Sequence, residues 1–263
     1  MSKTTTYEYN SQFLQSKIKI TTSVEDKESE TEYRYPTDLI GIEQKNLIRR
    51  MVEENIITDP IIIKAKKGLI QTAESHTKYK EIPIIYQEDN QTKSKNLIVL
   101  DEVHQLVGKG NINVEAGNND NRKIKYDSYD KQGNLIQYTF EGKMPICILW
   151  SYSGQYPIAE IQNATYDQVK AHIDIDALSQ KTKPTENDIR SIQNLQTTLK
   201  DAMITTYTYK PLVGMTTMTD PSGVTTYYEY DDFGRLKESY YYENNDVNKR
   251  RVLQTYEYNY QNQ

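Results

Sequence analysis

Cysteine is almost absent: Cys147 is the only one in 263 residues, which excludes an intramolecular disulfide and any zinc site built on cysteines. Its flanks, Pro145-Ile146 and Ile148-Leu149-Trp150, mark it as a buried structural thiol. Glycine (11) and proline (8) are too scarce for collagen-like or elastic low-complexity chains. The three histidines, His76, His104 and His172, are scattered and form no His-Glu-x-x-His pattern, so nothing points to a zinc enzyme. Apolar runs are short. Ile61-Ile62-Ile63 and residues 146–150 fall far below the ~20 residues that span a bilayer. The N-terminus lacks the basic start and apolar core of a signal peptide. Cations are outnumbered, 32 Lys and Arg against 37 Asp and Glu, a net charge of -5, whereas a nucleic-acid binder would show a basic stripe.

What the sequence has in excess is tyrosine, 23 residues against 3 phenylalanines and 1 tryptophan. A ring with a polar end suits half-exposed strands better than a dry interior. Hydrophobic residues make up 36% and the mean hydropathy is -0.81, so a wide, thin fold is expected rather than a deep core. Alternation of polar and apolar residues predicts strands at 4–9, 17–22 and 30–35, with further short strands over 60–105. Between them, Pro36-Thr37-Asp38 supplies a stop and an N-cap for an amphipathic helix at about 39–54. Residues 108–121 are rich in Gly and Asn and read as a loop. Strands follow at 122–126, 134–140, 146–152 and 158–161, joined by turns at 130–133, 141–143 and 153–155. Helical spacing then predicts a helical hairpin at about 163–201, its second helix opened by Pro184 and Thr185.

The last sixty residues are the most regular. Thr205-Thr206-Tyr207 and Thr226-Tyr227-Tyr228 place Tyr207 and Tyr228 21 positions apart, and 11 of the 23 tyrosines fall between 207 and 260. Two tetrapeptides, Asp220-Pro221-Ser222-Gly223 and Asp231-Asp232-Phe233-Gly234, carry Asp first and Gly fourth. That spacing is what a type I turn requires: the carboxylate caps the turn's backbone and glycine tolerates the conformation that follows. A period near 20 residues marks a repeat architecture, in which each hairpin buries its face against the next.

Tyr230-Asp231-Asp232-Phe233-Gly234-Arg235-Leu236 resembles the YD-repeat unit of Rhs-type proteins, and Tyr129-Asp130-Lys131-Gln132-Gly133 resembles a second copy. The stretch 205–230 and the segment 150–159 are similar to Rhs-repeat proteins of Bacteroidetes-type bacteria. The resemblance implies hairpins joined edge to edge into a sheet that forms a hollow shell, often around a toxin. The segment is expected to be a repeat region without the core and toxin parts.

Residue patterns that would carry chemistry are few. Gly108-Lys109-Gly110 lacks the ending of a phosphate loop, and Asp174-Ile175-Asp176 reads as a solvated helix face. Asp127, Asp130 and Gly133 lack the following Glu of a calcium loop. Glu53-Glu54 and Asp231-Asp232 have no apolar surroundings that would set two carboxyls apart. One sharper reading concerns Tyr227, Tyr240, Tyr241 and Tyr242, which could form a platform for sugar faces; the alternative is that they are the sheet's own packing.

The sequence therefore predicts a mainly β protein, an elongated twisted antiparallel sheet of YD-type hairpins with an inserted helix and a helical hairpin. Its two regions are 1–121, strand-rich with one helix, and 122–263, the YD-repeat part. No linker separates them, so one continuous unit is expected. The expected function is a non-catalytic structural segment of a shell or cell-surface scaffold, with no cofactor, no metal, no nucleic-acid partner and no membrane span. Its partners would be other repeats of a longer chain, or another protein, at open strand edges, and its location extracellular or at the cell surface if it belongs to a longer exported protein. The alternative is a carbohydrate- or protein-binding surface module.

Overall fold

The computed structural model describes residues 2–23, 28–40, 46–110, 112 and 121–258. The fold is mainly β, an antiparallel sheet of fifteen strands whose order is the order of the chain. The chain divides into two compact units, Met1–Gly133 with Thr139–Lys143, and Asn134–Tyr138 with Met144–Gln263.

The first unit holds β1 (Lys3–Tyr9), β2 (Gln15–Thr22), β3 (Ser29–Arg34), β4 (Ile62–Lys67), β5 (Ile70–Glu88), β6 (Gln91–Val107) and β7 (Arg122–Tyr129). Helices α1 (Pro36–Leu39) and α2 (Asn46–Glu53) lie between β3 and β4. The expected helix at 39–54 is thus two, and residues 41–45 of it lie outside the described residues. Asp38 is not the N-cap. It sits at the third helical position, where its Oδ2 accepts the Tyr35 backbone N–H at 2.9 Å. Strands expected separately within 70–107 are one long hairpin, turned by Asp89 and Asn90 with φ of +52° and +59°. Two consecutive left-handed residues make a type I′ turn, and Asp and Asn tolerate it better than other side chains. Leu39, Ile48, Met51, Ile61 and Ile98 form this unit's apolar core.

Charge selects the pairing in this unit. Lys17 lies 3.6 Å from both Glu30 and Glu32; Lys66 lies 3.6 Å from Glu32; Lys64 lies 3.1 Å from Glu74. The sign alternates strand by strand, positive on β2, negative on β3, positive on β4. Pairing any of these strands with its second neighbour would set like charges opposite each other. The Lys17 and Lys66 pairs are partly exposed and contribute only about 0.2–1 kcal/mol each, so they discriminate between registers more than they stabilise the sheet.

The second unit opens in β8 (Leu135–Phe140), of which residues 135–138 belong to it, and continues with β9 (Met144–Ser151) and β10 (Tyr156–Gln162). Then come α3 (Tyr166–Lys170), α4 (Ile175–Gln180), α5 (Glu186–Asn194) and a 3-10 turn at Leu195–Thr197. The sheet resumes with β11 (Met203–Lys210), β12 (Gly214–Thr219), β13 (Thr225–Tyr230), β14 (Leu236–Tyr242) and β15 (Arg250–Thr255). The first predicted helix of the hairpin is broken because Asp174 restarts it as an N-cap, its Oδ1 accepting the Ala177 N–H at 3.0 Å. Thr185 does open α5: its hydroxyl accepts from Asp188 N and its own N–H donates to Asp188 Oδ2 at 2.7 Å. Helices of 5, 6 and 9 residues would not persist alone. They are held by packing Val169, Ile175, Leu178 and Ile192 onto Leu149, Ile158, Ile161 and Ile204, each buried aliphatic side chain contributing about 1.5–3 kcal/mol. Cys147 lies in this core with its thiol pushed up to about 12 by burial. Among the described residues no helix is long and apolar enough to cross a membrane.

Candidate functional site

The turns that carry the repeat motif share one geometry. At Asp231, Oδ1 accepts the backbone N–H of Phe233 at 2.9 Å and of Arg235 at 3.0 Å, while the Gly234 N–H donates to the Asp231 carbonyl at 2.9 Å. At Asp220, Oδ1 accepts from Ser222 N at 2.9 Å and Val224 N at 3.0 Å, and the Gly223 N–H donates to the Asp220 carbonyl. Asp130 does the same for Gln132 N at 2.8 Å, with the Gly133 N–H on its carbonyl. The fourth residue is left-handed in all three, with φ of +92° at Gly133, +85° at Gly223 and +74° at Gly234. Each carboxylate caps a turn, and hydrogen bonds hold Asp220 and Asp231 below the usual carboxylate range, chiefly from Ser222 and from Arg235 respectively.

A fourth copy escaped the sequence reading. Asn10 Oδ1 accepts from Gln12 N and Leu14 N, both at 3.0 Å, and the Phe13 N–H donates to the Asn10 carbonyl. Asparagine stands for the aspartate and Phe13, at φ +60° and 88% exposed, stands for the glycine. A benzyl side chain in the left-handed region is strained. Phe13→Gly is expected to raise stability by about 0.5–1 kcal/mol, read as a higher urea midpoint at unchanged slope.

The tyrosine of the motif has its own task. At the end of β13, Tyr230 donates its hydroxyl proton to the Met215 carbonyl on β12 at 2.8 Å; Tyr129 does so to Leu100 on β6 at 2.6 Å. Two tyrosines not singled out by the motif repeat the contact, Tyr35 to Gln15 and Tyr258 to Leu236, both at 2.9 Å. Tyr129 and Tyr230 thus clip a strand to the one before it, and Tyr35 and Tyr258 clip the chain just past β3 and β15 to β2 and β14. Arg235 completes the unit: its Nε donates to Asp231 Oδ2 at 2.7 Å, and its guanidinium sits 4.3 Å over the Tyr258 ring. Leu236 supplies the carbonyl that Tyr258 binds.

The four tyrosines of the suggested platform divide. Tyr227 and Tyr240 are cross-strand partners with rings stacked at 5.3 Å and 12°, and Tyr242 meets both edge-on at 5.3 and 5.6 Å. Tyr240 is 8% exposed with Arg250 at 3.7 Å over its ring, and burial first, then Glu229 and Tyr242, push its hydroxyl up to about 12. Tyr241 pairs with Thr226, so strand alternation puts it on the opposite face.

The remaining candidates are engaged in structure. Asp174 caps α4, Asp176 pairs with Lys170, Glu54 with Arg50, and Asp127 accepts the Thr139 hydroxyl. His172 is exposed. His76 and His104 are cross-strand partners in a charged cluster the sequence did not reveal. His76 Nε2 lies 2.6 Å from Glu74 and His104 Nε2 3.0 Å from Glu102, which also holds Lys78 at 3.0 Å and Arg122 at 2.9 Å. Glu74 and His104 are almost wholly buried. Burial alone would raise both carboxyls, yet the hydrogen bonds from His76, Lys64 and Gln71 to Glu74, and from His104, Lys78 and Arg122 to Glu102, outweigh it and hold both below the usual range. Among the described residues no group of three or more His, Cys, Asp or Glu is arranged to hold a metal.

No family model matches the sequence, and no curated protein does. Among solved structures, the Tc holotoxin pore of Photorhabdus luminescens aligns with 97% of this chain at 12% identity and a TM-score of 0.36. A crystal structure of TcdB2-TccC3 without its hypervariable C-terminal region aligns with 94% at 12% identity and a TM-score of 0.35. The chain spans 12% of the length of each.

Proposed function

We propose that the chain is a non-catalytic structural segment of an Rhs/YD-repeat shell or cell-surface scaffold, serving bacterial competition or adhesion outside the cell as part of a longer exported polypeptide. The observation that carries this reading is the recurring unit of a capped turn and a clipping tyrosine. In Tyr230-Asp231-Asp232-Phe233-Gly234-Arg235-Leu236 the tyrosine, first aspartate, glycine, arginine and leucine each make a contact that joins or turns strands. Residues so engaged have little freedom left for chemistry. Strand order equal to chain order is the topology that grows by adding hairpins. All residues of β1 and β15 are exposed, and edge strands of this kind accept another strand from further repeats or a partner.

The reading is tested in the producing bacterium with an antibody to this chain and protease added outside intact cells. It predicts a band well above 30.7 kDa that external protease removes. A band of 30.7 kDa that survives until the cells are lysed contradicts it.

A further inference from the structure

Beside α5 the second unit contains a cleft of ≈ 680 Å³, bounded by residues 183–193 on one side and by β11, β12 and β13 on the other. This is the size of a ligand site. Its walls include Ile189, Pro184, Pro211, Tyr209 and Tyr227, so much of the lining is apolar. Three exposed cations, Lys183, Arg190 and Lys210, stand against the single carboxylate of Glu186. Among the described residues none of the three cations forms an ion pair. On a chain of net charge -5, this local reversal of sign favours an anionic occupant.

Two further features choose the class of occupant. The cleft's tyrosines already pack on other rings: Tyr227 stacks on Tyr240, and Tyr209 lies 4.9 Å from Tyr156 and 6.0 Å from Tyr152. In contrast, hydroxyls are available. Thr208 Oγ1 bonds Thr216 Oγ1 at 2.7 Å and Thr217 Oγ1 at 2.6 Å, and all three threonines line the cleft. Three hydroxyls carry three protons and only two are used between them, leaving one donor and several lone pairs for an extended backbone.

We infer that this cleft binds a segment of a partner protein in which acidic and apolar side chains are mixed. The apolar side chains fill the space between Ile189 and the tyrosines, the carboxylates meet Lys183, Arg190 and Lys210, and the peptide backbone bonds the threonine hydroxyls. The site is independent of the sheet edges used for strand addition.

Fluorescence anisotropy of the full chain with a labelled peptide of alternating Glu and Leu tests it. The expected result is saturable binding that weakens with added salt and falls about tenfold in Arg190→Glu. Because Arg190 is exposed, the variant should unfold at the same urea concentration as the native chain. No binding, equal binding of a Lys/Leu peptide, or unchanged binding in Arg190→Glu overturns the inference. Equal or tighter binding of oligogalacturonate assigns the cleft to acidic saccharides and overturns it as well.

Discussion

Gly214→Ala is expected to destabilise the chain by about 2–3 kcal/mol, although the change adds a single methyl group. A Cβ at position 214 would meet the Tyr230 hydroxyl oxygen at an impossible distance and lie 2.7 Å from Cζ and 2.9 Å from Cε1 of the same ring. The ring cannot stay, and when it leaves the Met215 carbonyl loses its hydrogen bond. Part of the cost is the displaced ring and part is the orphaned acceptor. Tyr230→Phe separates them: it removes only the hydroxyl and should cost about 1 kcal/mol. Combining Gly214→Ala with Tyr230→Ala should cost less than the two singles together, because the second change vacates the space the first requires. Trp150, the only tryptophan, hydrogen-bonds the Leu135 carbonyl within the same unit, so its fluorescence in urea reads all four variants.

Glu102→Gln is the second large effect, expected at about 2–3 kcal/mol. The carboxylate holds His104, Lys78 and Arg122 at 2.9–3.0 Å, with Lys125 at 3.4 Å. Removing its charge leaves cations facing one another beside a buried imidazole. The lysines and arginine are partly exposed, which keeps the cost below that of a fully buried pair. The pH dependence follows from the direction of the shifts. Glu74 and Glu102 are both depressed in the folded chain, so the unfolded chain binds protons first as pH falls. Their contribution is complete above the unfolded carboxylate pKa of about 4.3 and is lost as pH drops below it through the folded values. Circular dichroism during acid titration should show a steeper loss of stability for the native chain than for Glu102→Gln below about pH 4.

The parts of the fold legible in the sequence are those set by local rules. Alternation in Lys17-Ile18-Lys19-Ile20 marks β2, the strand-favouring run Thr225-Thr226-Tyr227-Tyr228 marks β13, and the Asp-x-x-Gly spacing marks two hairpins of the last unit. Thr185 announced α5 because a cap is a local contact. The turn at Asn10 was not seen because Phe13 occupies the place where glycine is expected, and the surrounding sheet tolerates its strain. The β5–β6 hairpin is legible only in pieces, since a register break beside Lys78 and polar stretches interrupt its alternation. Partnerships across distance were least legible. Glu74-Ser75-His76 and Glu102-Val103-His104 are visible as a repeated Glu-x-His, but only the pairing of His76 with His104 makes them one cluster. The sequence leaves the tyrosines of 227–242 open between a platform and packing, and the hydroxyl contacts of Tyr35 and Tyr258 are visible only once the strands are placed.

Native-state amide hydrogen exchange of the full chain, compared with Tyr230→Phe, asks whether the motif tyrosine holds one strand to the next. Alternate amides of β1 and β15 should exchange freely, and Tyr230→Phe should speed exchange about fivefold in β12 and β13 while the amides of β9 and β10 stay as they were. Unchanged protection in β12 and β13 would show that Tyr230 clips nothing, and would contradict the reading of the repeat as a structural unit.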